Sequence, residues 1–430
     1  MLATALLLLV VLLAISVPVA AVMGVLGMAL NHFFAVMPLH RAMGEIVWNS
    51  SSEYILIAIP LFVMLGEILL RAGIAERVYN AIAQWLSWLP GGLMHANIGA
   101  CAMFAATSGS SVATAATIGT VAMPQIEKRG YNESLFLGTI AAGGTLGILI
   151  PPSINFIIYG LLTNSSVPRL YLAGFIPGLL LAFLFMIIVL VACLFDRKKG
   201  GTPIETTWGA RFRVLPSLLP PLFIFLVVVG SIYAGIATPT EAASLGVIAA
   251  LILAAWEGRL SVSMLRATAE GTMRTTAMIM LIILAAQFLN FVLAAIGVTD
   301  GIGKALEALG LGKIGTMLLI IVFYLILGCF METISMMILT TPFIAPLVFN
   351  LGWDPIWWGI VLTILIEAAL ITPPVGLNLY VVQGMRVRGP VADVIRGALP
   401  FVGAMTLLIF LLMVWPDIAL WLPAQVMGKG

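Results

Sequence analysis

The chain has 430 residues, 62% hydrophobic and only 9% charged, with 20 Lys and Arg against 18 Asp and Glu for a net charge of +2. A soluble domain carries about 25% charged residues, so this composition excludes a soluble enzyme, a nucleic-acid binder and a disordered chain. The apolar residues come in long runs rather than in alternation, which predicts an all-α polytopic membrane protein and not a β-barrel.

In chain order, residues 1–37 are apolar and interrupted near Pro18. At roughly 20 residues per crossing they just make two. Apolar runs follow at 54–70, in 95–125, and at 133–150 and 153–162 on either side of Pro151-Pro152. After 172–195 comes the one clear polar linker, 196–213. The second half runs through 214–235, 239–256, 275–297, 314–331, 335–349, 356–371 and 400–422. Cys101, Cys193 and Cys329 all sit in apolar runs without paired or metal-type spacing and read as small hydrophobes. His32, His40 and His95 are scattered and predict no metal centre.

Positive charge collects on the cytoplasmic side. With Arg197, Lys198, Lys199, Arg211 and Arg213 placed inside, and with 95–125 and 314–349 as re-entrant hairpins, 15 Lys and Arg fall inside and 5 outside. The expected topology is ten crossings plus two hairpins, with both termini outside. The N-terminus lacks the positive region of a cleaved signal, so no cleavage is expected.

The halves repeat one another. Pro151-Pro152-Ser153-Ile154-Asn155 and Pro373-Pro374-Val375-Gly376-Leu377-Asn378 each interrupt an apolar run, with Tyr159 and Tyr380 beyond. Upstream of each lies a polar island within a hairpin: Thr107 to Ser111 with Thr114 and Thr117, and Glu332-Thr333 with Ser335, Thr340 and Thr341. The charge map puts the ends of one hairpin inside and of the other outside, so the repeats are inverted. Paired broken helices in inverted repeats point to a secondary transporter with its site near the midplane.

Proline strips a carbonyl of its helical partner, and a freed carbonyl in lipid needs a ligand. Sodium suits such oxygens together with the Ser and Thr hydroxyls of the tips, where Gly109 lets the backbone turn. Helix N-termini at the tips suit an anion. No Lys or Arg lies in a tip or a break, so a carried anion relies on bound sodium, helix N-termini and hydroxyls. Four carboxylates lie in or beside apolar runs, where a charge costs about 2.5 kcal/mol or more. Glu332, at the second tip, is the foremost site candidate. Glu241 follows Thr238-Pro239-Thr240 as a capping residue would, and Glu67 stands four residues before Arg71 as a partner would. Glu367 reads equally as structural or as a proton relay. No phosphate-binding loop is present and Ser108 and Ser110 have no neighbouring base, so neither ATP hydrolysis nor intramembrane catalysis is expected. A passive channel would not need two opposed hairpins.

The runs Ser108 to Thr117, Gly143 to Ser153, Ala237 to Ala243 and Ile371 to Asn378 resemble the large membrane subunit of tripartite ATP-independent periplasmic (TRAP) transporters over nearly the whole chain. The resemblance implies an elevator-type fold in the bacterial inner membrane. A transport domain of 95–165 and 314–385 would move against a scaffold of 1–72, 170–297 and 400–422, joined by arms at 74–92 and 301–312. It implies sodium-driven import of small carboxylates such as C4-dicarboxylates, sialic acids or 2-oxoacids. The partners implied are a small four-helix membrane subunit and a periplasmic solute-binding protein; no organic cofactor is implied. Sodium is expected at Ser108, Gly109, Ser110, Gly144, Thr145 and Pro151, and again at Glu332, Thr333, Ser335, Thr372, Pro373 and Gly376. Substrate is expected between the tips, at Ser110, Ser111, Pro152, Asn155, Thr333, Pro374 and Asn378. Proton coupling through Glu332 or Glu367 is the alternative.

Overall fold

The computed structural model describes residues 4, 7–9, 11, 12, 15, 17–298, 301, 310–328, 331–386 and 388–428. The side chains of 105–108, and so the hydroxyl of Ser108, lie outside that description, as do Cys329 and most of 301–312. Among the described residues there is no β-strand, only an isolated bridge between Tyr131 and Gly200. Seven helices there are individually long and apolar enough to cross a bilayer. A further pair, Glu133–Leu149 and Ile154–Thr163, is bent by 46°. Six of the seven, the bent pair, and the shorter apolar helices Val19–Phe34 and Pro355–Ala369 match nine of the expected crossings. The seventh, Thr333–Asn350, is an arm of the second hairpin. The stretch before Pro18 lies mostly outside the described residues.

Local chemistry sets several helix ends. Pro239–Trp256 opens on a capping box: Thr238 Oγ1 accepts the Glu241 N–H at 3.4 Å, and Glu241 Oε2 accepts the Thr238 N–H at 2.8 Å. Glu67 pairs with Arg71 at 2.8 Å. Both carboxylates therefore have structural partners. Val262–Ala295 begins earlier than the apolar run at 275 because Ser261 Oγ accepts the Met264 N–H at 3.2 Å. At 1.5 Å per residue its 34 residues span about 51 Å, more than the bilayer core. The excess holds the Arg266–Glu270 pair, 2.9 Å apart.

Val19–Phe34, Ala58–Arg71, Pro239–Trp256 and Val262–Ala295 form one packed group. The hairpins and broken helices form another. The first hairpin, Leu93–Ser108 and Ser111–Ala122, packs on Glu133–Leu149. The second, Gly312–Leu327 and Thr333–Asn350, packs on Pro355–Ala369. The halves cross over: Ile154–Thr163 lies on the second hairpin, and Leu377–Gly384 lies on Ser111–Ala122.

The long helices Val167–Phe195 and Val391–Val414, which fall in the segments assigned above to a scaffold, pack on this second group. Small residues are the reason. A side chain at Gly174 would lie 2.8 Å from the Leu149 carbonyl and 2.7 Å from the Phe156 ring, and one at Gly178 would lie 2.9 Å from Ile150. Gly397 meets Gly138 backbone to backbone, and the Ser134 hydroxyl donates to the Asp393 carbonyl at 2.7 Å. Such close approach is how helices associate in lipid, where apolar burial alone gives no preference. Arg386, nearly buried, joins the ends of three helices through Glu133 at 2.5 Å and Asp393 at 3.3 Å. Val391–Val414 stops at Trp415-Pro416, and Asp417–Met427 then folds onto Val167–Phe195. The amphipathic helix Ile74–Leu86, entered through Gly73 at φ +72°, bridges the first hairpin to Trp208–Leu218.

Candidate transport site

Each half builds the same three parts: a hairpin tip, a break after a long helix, and a short helix leaving the break. The first tip turns at Gly109, at φ +59°, where a side chain is strained. Ser110 then caps Ser111–Ala122, its Oγ accepting the Ala113 N–H at 3.3 Å. The tip lies on the first broken helix because glycines let it. A side chain at Gly147 would sit 3.0 Å from the Ser110 carbonyl, and one at Gly144 would sit 2.9 Å from the Ser111 carbonyl. Gly109 itself faces the Pro152 carbonyl, 3.8 Å from where its Cβ would be. Gly109, Ser110 and Ser111 are thus brought to Gly144, Gly147 and Pro152. Thr145 is turned elsewhere, donating to the Ala142 carbonyl at 2.6 Å.

At the second tip Glu332 caps Thr333–Asn350. Its Oε1 accepts the Ile334 N–H at 3.0 Å, and its Oε2 accepts the Ser335 N–H and hydroxyl at 3.0 and 2.9 Å. The second break spans 370–376, and Gly376, at φ +55°, starts Leu377–Gly384. The hydroxyl of Thr372 donates back to the Ala368 carbonyl at 2.7 Å. The tip's stem meets the end of the broken helix at Gly328, which touches Ala369. Both breaks contain a cis Pro-Pro bond, Pro151-Pro152 and Pro373-Pro374.

Glu367 joins the halves. It is fully buried on Pro355–Ala369, and its Oε2 accepts the Ser111 hydroxyl at 2.6 Å. Asn378 makes a second link, its Nδ2 donating to the Ala141 carbonyl at 3.3 Å. Both links lie around Gly144, where an added side chain would come within 3.2 Å of Asn378 Nδ2.

This geometry changes the electrostatics expected from the sequence. Helix N-termini carry partial positive charge, and both tip helices were expected to offer it to a carried anion. Each instead has a carboxylate of the chain beside its first turn, Glu367 at one and Glu332 at the other. Glu367 is fully buried, whereas Glu332 is only half-buried and its charge is met by the N–H groups of the helix it caps. Among the described residues no ion pair reaches either tip. No group of three His, Cys, Asp or Glu among them could hold a metal ion.

Several buried polar atoms find no hydrogen-bond partner among the described residues: Glu367 Oε1, Asn378 Oδ1, Ser153 Oγ, Thr341 Oγ1 and both amide atoms of Asn155. Such atoms are uncommon in folded proteins and call for a partner such as water or an ion; others lie away from the tips and breaks, at Gln84, Thr272 and Thr276. Asn155 was expected from the sequence. Ser153 was missed, although it directly follows the double proline. Thr341 lies in the second polar island beside Thr340 but was not among the expected site residues, since the two share one sequence context; the structure satisfies only Thr340, through Tyr324 and the Met336 carbonyl. A cavity of about 410 Å³ lies on the opposite face of Ser111–Ala122, lined by Ala113, Ala116, Thr117 and Thr120 across from Gly73 and Glu76.

Residues 6–418 match a family model described as the tripartite ATP-independent periplasmic transporter, DctM component. The chain is 32% identical over 399 residues to the C4-dicarboxylate TRAP transporter large permease protein DctM of Vibrio cholerae, covering 88% of this chain and 87% of that one. It is 32% identical over 384 residues to the isethionate TRAP transporter permease protein DctMQ of Oleidesulfovibrio alaskensis, covering 87% of this chain and 59% of that longer one. Its fold is similar to the crystal structure of the Alcanivorax borkumensis YdaH transporter, with a TM-score of 0.63 at 16% identity, covering 94% of this chain and 98% of that chain. That likeness is one of fold alone. With membrane-spanning helices, paired hairpins and breaks, and a family match along nearly its whole length, the chain belongs to the DctM family of large TRAP transporter permeases and is a transport protein rather than an enzyme.

Proposed function

We propose that this permease imports small organic anions, carboxylates first among them, in symport with sodium. The substrate is delivered by a periplasmic binding protein, and a small four-helix membrane subunit completes the permease in the bacterial inner membrane, with both termini periplasmic. The observation that carries the reading is the pair of tip carboxylates. With Glu367 and Glu332 beside the tip helices and no Lys or Arg there, an anion is held only together with cations. The freed oxygens of the two breaks and tips supply hard ligands for sodium, and Asn155, Ser153 and Thr341 supply neutral polar contacts for substrate. The V. cholerae relative's name supports dicarboxylates, and the isethionate relative's name supports anions more broadly.

Movement in this reading is of the elevator type. The hairpins and broken helices travel with the long helices packed on them, Val167–Phe195 and Val391–Val414, against 19–71 and 239–295. The smooth face of Ala113, Ala116, Thr117 and Thr120 at the cavity suits sliding. Uptake of succinate into proteoliposomes holding both membrane subunits, with the binding protein added, tests the reading. Uptake is expected to need an inward sodium gradient. Equal uptake with choline in place of sodium at constant pH would overturn it.

A second reading, proton coupling, is favoured by one observation, the complete burial of Glu367. It requires Glu367→Gln to abolish the dependence of uptake on a proton gradient.

A further inference from the structure

We infer that Glu367 is a positioning residue that couples the two sodium sites, by holding the first hairpin tip from the second repeat. The inference rests on the sodium reading above. Four contacts form a continuous path between the tips. Gly328, at the stem of the second tip, touches Ala369. Ala369 stands two residues from Glu367, at the end of Pro355–Ala369 where the second break begins. Glu367 Oε2 holds the Ser111 hydroxyl at 2.6 Å, with both residues buried. Ser111 and Ser110 present their carbonyls to Gly144 and Gly147 on the first broken helix.

The steps are close-packed or hydrogen-bonded except for Ala369 to Glu367, which runs along the helix backbone, so a shift of the end of the second broken helix is passed to Glu367 through that helix. Glu367 in turn cannot shift while the first tip stays in place. Glu367 is 0% exposed, so its hydrogen bond to Ser111 is shielded from bulk water. The bond therefore has two discrete states, made or broken, as an element that couples two sites requires. Sodium that orders the second tip and break sets Ala369 and Glu367, and so pre-orders the first tip for the other ion. The coupling acts through acceptance of a hydrogen bond, which a glutamine oxygen also performs. A proton carrier at the same position would not tolerate glutamine.

The test uses the complex of large and small subunits in detergent. Its thermal unfolding is followed while sodium chloride replaces choline chloride at constant ionic strength. The unsubstituted complex should show a sodium-dependent rise in unfolding temperature with a Hill slope above 1. Glu367→Ala and Ser111→Ala should each raise the half-saturating sodium concentration by roughly 5- to 50-fold and bring the slope to about 1. The double substitution should be no worse than either alone. Glu367→Gln should stay within about 2-fold of the unsubstituted complex; a merely space-filling role would also spare glutamine, but it would not predict the Ser111→Ala loss or its non-additivity with Glu367→Ala. Additive effects of the two alanines, or glutamine as damaging as alanine, would overturn the coupling while leaving sodium binding intact. A complex with no sodium response at all would overturn the sodium reading and the coupling with it.

Discussion

The two breaks share a double proline, a following asparagine and a preceding long helix, yet their surroundings are opposite. Pro151, Pro152, Ser153 and Ile154 are all buried, enclosed by the first tip and by Val167–Phe195. The second break is open, with Val375 at 40%, Leu377 at 39% and Tyr380 at 48% exposure. Polar satisfaction runs the other way. Asn155, behind the enclosed break, has no partner among the described residues, whereas Asn378, behind the open one, is tied to Ala141. The tips differ too: a neutral serine caps the first and a carboxylate the second. A repeated motif thus supplies two pieces of the same shape, and their neighbours assign them different work. The first half offers Ser153 and Asn155, with side chains unpartnered among the described residues, at an enclosed break. The second reaches across, through Glu367 and Asn378, to hold the first in place.

The largest effects should come from blocking the close approach in each half. Gly147 on the first broken helix and Gly328 on the second hairpin play the same part on opposite partners. Leucine at either should cost about 1–3 kcal/mol of stability by overpacking and lower succinate uptake by roughly 100-fold, the scale of a misplacement of about 1 Å. Uptake and unfolding temperature read both. If only one substitution has this effect, the halves are not equivalent in packing.

The caps should separate next. Glu332→Ala removes three hydrogen bonds to a charged group and should cost about 2 kcal/mol. Ser110→Ala removes one long bond and should cost about 0.5 kcal/mol. Thermal unfolding of both variants measures the gap, and equal losses would remove the distinction between the tips.

The asparagines give a smaller and more diagnostic contrast. Asn378→Ala should cost about 1 kcal/mol because it breaks a buried bond. Asn155→Ala should change stability by less than about 0.5 kcal/mol, since no bond is lost, yet reduce uptake clearly. A strongly destabilised Asn155→Ala protein would mean that Asn155 serves the fold rather than the substrate. Smallest of all, Glu241→Ala lies outside both halves of the site. Loss of its capping box should lower the unfolding temperature only slightly, with uptake per folded molecule unchanged.

Much of this was legible in the sequence because the bilayer constrains composition and length directly. The spans, the hairpins, the double-proline breaks, the Glu241 cap and the Glu67–Arg71 pair all follow from local pattern. Glu332 was legible as a residue at the second tip, but not as its cap. Glu367 stayed undecided because its partner, Ser111, lies in the other half of the chain. Ser153 and Thr341 carry no pattern that separates a satisfied hydroxyl from an unsatisfied one; only their neighbours do.

By itself, the shortage of charge determined that the chain lives in lipid, and the placement of its prolines and glycines determined where helices break and turn. Those are properties of the backbone and its solvent, expressed within a few residues. Tertiary structure alone decided that the tip helices face glutamates rather than free space, that Val167–Phe195 and Val391–Val414 pack with the hairpins, and that one break is enclosed while the other is open. These outcomes depend on which surfaces meet across some 250 residues of chain, as in the 256-residue separation of Ser111 and Glu367. In lipid that choice rests on small-residue packing and buried polar contacts rather than on apolar burial, whose sequence pattern is the same on every face.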